Sequence, residues 1–185
     1  MQKGRTITNL RYADDTTLLA QSEEELVNMV TLLKKHSSLA GLRLNTSKTK
    51  VLATGPLDNG GTMKIDGEEI EAVDSFVFLG AKITSDSTCE KEIRRRIAMG
   101  KCAVGKLMKI WKDRGVTKGT KVKLVKALVF PIVTYGSETW VIKKEERRRL
   151  DAFELWCWRR LLRISWKAKK INRWILEKIE PGESR

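Results

Sequence analysis

The pattern of apolar and polar positions along the chain changes once, near residue 87. Before this point, short runs with a period of two alternate with turns rich in Gly, Asp and Asn, which indicates β-hairpins. After it, apolar residues recur every three or four positions, which indicates α-helices. The pattern predicts an α+β protein with two domains, residues 1–85 and residues 86–185.

Three hairpins are predicted in the first domain. The first places two adjacent carboxylates, Asp14 and Asp15, at its tip. The second turns at Asp66–Gly67, a pair suited to the positive φ angles of a two-residue loop, and the third turns at Leu79–Gly80. Each hairpin pairs two neighbouring strands antiparallel.

One helix and one further strand complete the first domain. The helix is predicted to begin at about residue 23, because Ser22 and Glu25 have the spacing of a capping box. Gly41 is placed to end it. Residues 48–54 read as a strand, and residues 58–61 as a flexible turn.

Helices are predicted throughout the second domain. One carries an apolar stripe from about residue 87 to residue 113, and Thr117 caps a second, which Pro131 kinks or ends because proline lacks an amide hydrogen. The remaining helices are predicted over residues 144–164 and 166–179, before a frayed end at residues 181–183.

The excess of positive charge lies entirely in the second domain. Of the net +14, residues 1–85 contribute 10 Lys and Arg against 11 Asp and Glu, and residues 86–185 contribute 27 against 12. This charge indicates a nucleic-acid-binding surface, because Lys and Arg displace counterions from phosphates and a polyanion relieves their mutual repulsion. All six Trp residues lie in the same domain. Their helical spacing favours a core, and stacking on bases is the alternative.

Composition excludes several classes of protein. No run approaches the roughly 18 apolar residues of a membrane span, and the N-terminus leads into no apolar signal core. Cys89, Cys102, Cys157 and the single His36 lack the spacing of a zinc site. An odd number of Cys residues fits reduced thiols, so we expect an intracellular location, nuclear or cytoplasmic.

The adjacent carboxylates of the first hairpin allow two interpretations. Asp is a favoured turn residue, so residue type alone favours a solvated turn. A pair of divalent cations would instead neutralise Asp14 and Asp15 and create a site for phosphoryl chemistry.

Residues 12–19 resemble the palm motif of reverse transcriptases. They begin with Tyr12, Ala13, Asp14 and Asp15 and end at Leu19. Further segments resemble later parts of the same enzymes in the same order, especially those of non-LTR (LINE-type) retrotransposons such as BovB-like elements of the RTE clade. These segments, which bring nearly all 185 residues into the resemblance, are residues 40–50, 76–80, 94–96, 121–126, 135–140 and 151–160.

The resemblance implies a partial palm, an antiparallel sheet with one helix, followed by an all-α, thumb-like region. It also implies an RNA-directed DNA polymerase with two Mg²⁺ ions, in which Asp14 is a metal ligand and Asp15 its supporting carboxylate. Tyr12 and Ala13 would shape the floor beneath the primer end. Lys48, or Lys50, would help to protonate the pyrophosphate leaving group, although exposed strand lysines also serve simply as edge protection.

The implied partners are an RNA template, a DNA primer and their RNA–DNA hybrid. The turn formed by Phe78, Leu79 and Gly80 resembles a primer grip. Basic side chains of the second domain are expected to contact the nucleic-acid backbone, since arginine suits phosphate geometry. They are Arg94, Arg95, Arg96, Lys101, Arg147, Arg148, Arg159 and Arg160.

Only 13 residues precede Asp14, so the fingers and the earlier palm aspartate have no room in this sequence. We expect a fragment that is inactive alone. A non-catalytic nucleic-acid-binding module and a relic copy without selected function are the alternatives. An exposed sheet edge along residues 5–20 is expected to promote self-association.

Overall fold

A computed structural model of the protein describes residues 8–55 and 62–179. The chain forms two compact units: Met1–Phe76 with Thr84–Ser87, and Val77–Ile83 with Thr88–Arg185. Small β-sheets and a helical region confirm the predicted α+β class, but the three hairpins of the described residues form separate two-stranded sheets, not one antiparallel sheet. The predicted turn at residues 58–61 and the predicted frayed end at residues 181–183 lie outside the described residues.

Two hairpins of the first unit have the predicted turns. Strand β1 (Asn9–Tyr12) pairs with β2 (Asp15–Leu18), and β3 (Thr62–Ile65) pairs with β4 (Glu68–Glu71), both antiparallel. The loop of the second hairpin has positive φ angles, 50° at Asp66 and 81° at the following glycine, as the Asp-Gly pair predicted.

Helix α1 (Glu23–Leu39) begins where its capping signals predicted. The hydroxyl of Ser22 accepts the backbone N–H of Glu25 at 3.2 Å, and the Glu25 carboxylate accepts the backbone N–H of Gln21 at 2.8 Å. Gly41 follows the helix with φ of 75°, a conformation that carries little steric cost for glycine.

The core of the first unit is small. Its buried side chains come from one face of α1, from the β3–β4 hairpin and from the segment before it: Val30, Val51, Met63, Ile65 and Ile70. Burial alternates along β3, where Met63 and Ile65 are buried and their neighbours exposed. One face of the hairpin therefore packs inward and the other meets solvent.

The strand predicted over residues 48–54 is wrong. Asn45 instead organises a turn, its side chain accepting the backbone N–H of Lys48 at 3.2 Å. Val51 makes a single parallel bridge to Ala72. The backbone carbonyl of Asn45 also accepts the amides of Lys48 and Thr49, so the first two residues of the predicted strand belong to this turn.

The third hairpin also turns where predicted. Strands β5 (Ser75–Phe78) and β6 (Ala81–Thr84) are joined by Leu79 and Gly80, with φ angles of 46° and 79°. Val77–Ile83 belongs to the second compact unit, whereas the sequence analysis placed the whole hairpin in the first domain.

Helices form the rest of the second unit. They are α2 (Glu90–Lys106), α3 (Met108–Lys112), α4 (Lys118–Leu124), α5 (Phe130–Val133), α6 (Lys144–Leu162) and α7 (Asn172–Ile179), with 3₁₀ turns at Ser137–Thr139 and Trp166–Ala168. None of the helices in the described ranges is long and apolar enough to cross a membrane.

The single helix predicted from residue 87 to residue 113 is wrong, because it breaks at Leu107 into α2 and α3. The indole N–H of Trp111 donates to the carbonyl of Val104 at 2.9 Å, and the Leu107 amide bonds the same carbonyl. Lys121 donates to the carbonyls of Trp111 and Asp113, which satisfies backbone groups at the end of α3.

The sequence predicted a kink or an end at Pro131; instead a wide π-helical turn at Val125–Val129 precedes this residue, and helical structure continues through it as α5. The Phe130 amide bonds the carbonyl of Val125, five residues back. Pro131 has no amide hydrogen to donate. The wider turn therefore changes the backbone hydrogen-bond pattern of the helix just before Pro131.

The core of the second unit is built by α2 to α7. Its most deeply buried side chains include Ile93, Val129 and Ile175, together with the two tryptophans Trp111 and Trp158, which are 1% and 2% exposed. These tryptophans have the predicted core role. Trp156, by contrast, is only partly buried.

Candidate functional site

The acidic turn lies at the end of the β1–β2 hairpin in the first unit. Tyr12 and Asp15 face each other as the last pair of the ladder, so Ala13 and Asp14 form the connection. All four side chains are exposed. Ala13 has a φ of 52°, a left-handed conformation that is unfavourable for a residue with a Cβ. The predicted position of the carboxylates at a hairpin tip is confirmed.

The exposed carboxylates of Asp14 and Asp15 have the charge and the oxygen ligands that a divalent cation requires. Within residues 8–55 and 62–179, no group of three or more His, Cys, Asp or Glu side chains is arranged to hold a metal ion. A metal ion at this turn would require ligands in addition to Asp14 and Asp15.

The two lysines considered for proton transfer differ in their surroundings. Lys48 is exposed beside the Asn45 turn. The ammonium of Lys50 is paired with the Glu71 carboxylate. Lys48 is therefore more exposed to solvent than Lys50.

The Leu79–Gly80 turn is held from two sides within the second unit. The hydroxyl of Tyr135 donates to the carbonyl of Leu79 at 2.9 Å. The guanidinium groups of Arg95 and Arg96 both donate to the carbonyl of Gly80. Three long-range hydrogen bonds thus fix the two carbonyl groups of the turn.

Glu92 and Tyr135 orient these arginines. The Glu92 carboxylate is almost fully buried and accepts Arg95 Nε at 2.7 Å and Arg96 Nε at 2.6 Å. The Arg96 guanidinium carbon lies 4.3 Å from the centroid of the Tyr135 ring. Burial would raise the pKa of Glu92, but hydrogen bonds from Arg95 and Arg96 outweigh it and lower this pKa below its ordinary value.

The predicted backbone-contacting arginines of α2 therefore have different environments. Arg94 is exposed and paired with Glu90. Arg95 is half-buried, and the side chain of Arg96 is only 6% exposed. Arg95 and Arg96 are thus hydrogen-bonded to Gly80 of the Leu79–Gly80 turn, whereas Arg94 faces solvent.

The predicted basic residues of α6 also divide. Arg147 and Arg148 are exposed near its start. Arg159 donates to the carbonyl of Lys170 at 2.6 Å, which ties α6 to the segment before α7. Arg160 is exposed, with its guanidinium 5.3 Å from the ring centroid of Trp156.

An open groove of about 480 Å³ runs between α2 and α6. Its lining combines apolar side chains with three cations: Ile97, Ala98, Ala152, Phe153, Trp156, Arg94, Lys101 and Arg149. Lys101 was among the predicted backbone contacts, and its ammonium lies 5.9 Å from the Trp156 ring centroid. The groove brings Lys101 together with Arg94.

Glu92, Tyr135 and Trp156 are not among the predicted site residues. The Glu-Arg spacing of three and four residues on α2 is a sequence signal for the Glu92 contacts. The contact of Tyr135 with Leu79 spans 56 residues, and no local pattern indicates it.

Comparison with known proteins bears on the first unit most directly. Residues 1–83 match the family described as reverse transcriptase (RNA-dependent DNA polymerase). This part of the chain is reverse-transcriptase-like. The match includes the acidic turn and ends beyond the Leu79–Gly80 turn.

A curated relative extends the similarity into the helical region. The chain is 32% identical over 165 residues to an uncharacterized transposon-derived protein of Caenorhabditis elegans. The aligned part is 88% of this chain but 59% of the relative, so the chain spans less than two thirds of that protein's length. No solved structure matches the chain.

Proposed function

We propose that this chain is part of the RNA-directed DNA polymerase of a non-LTR retrotransposon of the RTE type. The observation that carries the proposal is the match of residues 1–83 to reverse transcriptases, with Asp14 and Asp15 of that segment exposed at a hairpin tip. Similarity to a transposon-derived protein supports the genomic source. An intracellular location, nuclear or cytoplasmic, belongs to the same proposal.

In this proposal Mg²⁺ supplies the electrostatic stabilisation needed for nucleotidyl transfer in the parent enzyme. Asp14 would hold the ion and Asp15 would support it, together with further ligands. Tyr12 and Ala13 form the surface beneath the primer end, and Lys48 donates a proton to the leaving pyrophosphate.

The Leu79–Gly80 turn would orient the DNA primer, and the exposed cations would hold the backbone of the RNA–DNA hybrid. Hydrogen bonds from Tyr135, Arg95 and Arg96 fix both carbonyl groups of this turn. A turn fixed in this way suits a positioning role, because orienting a reacting group requires a rigid support.

Iron-mediated cleavage of the chain tests the metal site. Fe²⁺ replaces Mg²⁺ at oxygen ligands, and with ascorbate and peroxide it cleaves the backbone nearby. We expect cleavage of the full chain near residues 13–16, suppressed by Mg²⁺ and by Asp14→Asn. Asp113→Asn, which alters an acidic residue of the second unit, is the control. Absence of cleavage at the turn, or cleavage that Asp14→Asn does not reduce, would overturn this assignment.

Primer extension tests whether the isolated chain is active. With two candidate carboxylate ligands at the turn and no cluster of three in the described residues, we expect no extension in Mg²⁺. Extension that Asp14→Asn abolishes would contradict the proposed inactivity while supporting the metal assignment.

A non-catalytic nucleic-acid-binding module is the second candidate function. It is favoured by the 27 Lys and Arg against 12 Asp and Glu in residues 86–185. Binding of primer–template without iron cleavage at Asp14 would support this module over a retained metal site.

Self-association through the β1–β2 hairpin completes the proposal. Leu10 and Tyr12 of this hairpin are 49% and 66% exposed, and exposed apolar strands favour pairing between chains. Light scattering is expected to show dimers or larger species, and Leu10→Lys should reduce them. A sharp monomer at high concentration would contradict this.

A further inference from the structure

At the groove between α2 and α6, a partly exposed indole lies near two cations that have no acidic partner among the described residues. The centroid of the Trp156 ring lies 5.9 Å from Lys101 Nζ and 5.3 Å from Arg160 Cζ. Within the part of the chain that the structure describes, neither Lys101 nor Arg160 makes an ion pair with a carboxylate. These two cations are available to an external anion.

The other cations of the groove are already neutralised in part. Arg94 pairs with Glu90, and Arg149 lies 3.5 Å from both Glu90 and Glu145. An anion entering the groove therefore meets its strongest uncompensated attraction beside Trp156.

The floor of the groove is apolar and aromatic. Phe153 stacks beside Trp156, with ring centroids 6.0 Å apart and planes inclined by 26°. Ile97, Ala98 and Ala152 extend this surface. A volume of about 480 Å³ lies within the range of about 300–1,000 Å³ for sites of small organic groups.

A ligand that fits must offer a flat apolar face and an anion a few ångströms away. An unpaired nucleotide has both, since its base stacks on aromatic rings and its phosphate attracts Lys and Arg. A base inside a duplex has no free face to offer, which favours a single strand. An acidic peptide supplies the anion without the flat face.

We infer that the α2–α6 groove binds one unpaired nucleotide of a single-stranded nucleic acid, with the base on Trp156 and the phosphate at Lys101 and Arg160. This inference rests on the proposed nucleic-acid function and adds a location and a preference for unpaired bases.

Binding of a labelled single-stranded dT decamer to the full chain, measured by fluorescence anisotropy, tests the inference. Trp156→Ala should weaken binding about tenfold, which is within the contribution of one stacked base, whereas Trp156→Phe should retain most of it. Trp174→Ala is the matched control, because Trp174 also lies near two lysines, with Nζ atoms at 5.2 Å and 5.7 Å, but does not line the groove. It should change the affinity less than twofold.

A second pair of variants tests the phosphate contact. Lys101→Gln should lower the slope of log affinity against log salt by about 0.7, the share of one phosphate in a single strand. Lys106→Gln removes the same charge from an exposed position on the same helix and should leave the slope unchanged. This pair remains decisive if Trp156→Ala fails to fold.

An abasic decamer separates stacking from charge. The wild-type chain should bind it about tenfold more weakly than the dT decamer, without dependence on Trp156. Three results would each overturn the inference. The first is equal binding of both oligonucleotides, and the second is an equal loss of affinity in Trp156→Ala and Trp174→Ala. The third is displacement of the labelled dT decamer by poly-glutamate as effectively as by unlabelled decamer.

The same variants titrated with an RNA–DNA primer–template distinguish the two proposals. Duplex binding that survives while the decamer shows no dependence on Trp156 or Lys101 would contradict the groove assignment alone. Absence of binding to both nucleic acids would contradict the proposed function as well.

Discussion

The hydroxyl of Tyr135 donates a hydrogen bond of 2.9 Å to the carbonyl of Leu79, 56 residues earlier in the chain. The centroid of the same phenol ring lies 4.3 Å from the guanidinium carbon of Arg96. The Arg96 guanidinium donates a hydrogen bond to the next carbonyl, that of Gly80. One aromatic side chain therefore supports both peptide groups of the turn, directly and through Arg96.

Removing the Tyr135 hydroxyl should destabilise the chain. Tyr135→Phe keeps the ring near Arg96 but deletes the donor to Leu79, so the free energy of unfolding should fall by about 0.5–1.5 kcal/mol. Urea unfolding followed by Trp fluorescence measures it. Tyr12→Phe is the matched control, because Tyr12 is also exposed, 66% against 50% for Tyr135, but its hydroxyl has no hydrogen-bond partner among the described residues. It should change stability by less than about 0.5 kcal/mol. Equal effects of the two variants would contradict the role of Tyr135.

Glu92 should make stability depend on pH. Because Arg95 and Arg96 lower its pKa below the ordinary 4.5, ionised Glu92 contributes stability that is fully present above about pH 4.5. That contribution is lost as the pH falls through the lower pKa of the folded state.

The difference in unfolding free energy between wild type and Glu92→Gln should therefore be largest near neutral pH and shrink below pH 4.5. Thermal or urea unfolding between pH 3 and pH 7 measures it. Asp151→Asn, at an exposed position on α6, is the control. A difference for Glu92→Gln that grows on acidification would have the wrong sign for this account.

Two glycines of α2 should respond oppositely to substitution. A Cβ at Gly100 would meet Val133 and lie 2.8 Å from Phe153 Cζ, whereas a Cβ at Gly105 would have nothing within 4 Å. Gly100→Ala should destabilise by about 1–3 kcal/mol through overpacking. Gly105→Ala should stabilise by about 0.5–1 kcal/mol through helix propensity. Urea unfolding of both variants tests the packing of α2, and stabilisation by Gly100→Ala would contradict it.

The cysteines should differ in reactivity. Cys102 is exposed, whereas burial, with a smaller contribution from Glu154, raises the pKa of Cys157 to about 12 against the opposing charge of Lys101. A thiol reagent at pH 8 should modify Cys102 rapidly and Cys157 only after unfolding, since the thiolate is the reactive form. Cys102→Ser should remove the fast phase. A fast phase lost in Cys157→Ser instead would contradict this burial.

The local signals of the fold, namely helix capping, hairpin turns and proline, could be recognised in the sequence. Ser22 and Glu25 marked the start of α1, the Asp66–Gly67 pair marked a hairpin loop, and Pro131 marked a helix distortion. Each depends on interactions within a few residues, where backbone preferences decide the conformation.

What could not be read depends on side-chain contacts that residue types alone do not specify. The break between α2 and α3 accompanies the bond of Trp111 to Val104, and the turn at Asn45 includes the first residues of the strand predicted over residues 48–54. The roles of Arg95 and Arg96 were predicted as nucleic-acid contacts, and only the folded chain revealed that Gly80 accepts from both. Residue type gave their charge but not their partner.

Binding to an RNA–DNA primer–template tests the central claim most directly. Fluorescence anisotropy of a labelled primer–template, titrated with the full chain at several salt concentrations, should show binding whose logarithm falls linearly with log salt. Arg147→Gln combined with Arg148→Gln should reduce that slope, because both side chains are exposed on the basic helix α6. No binding by the wild-type chain, even at low salt, would contradict the account and leave the similarity to reverse transcriptases as a record of ancestry.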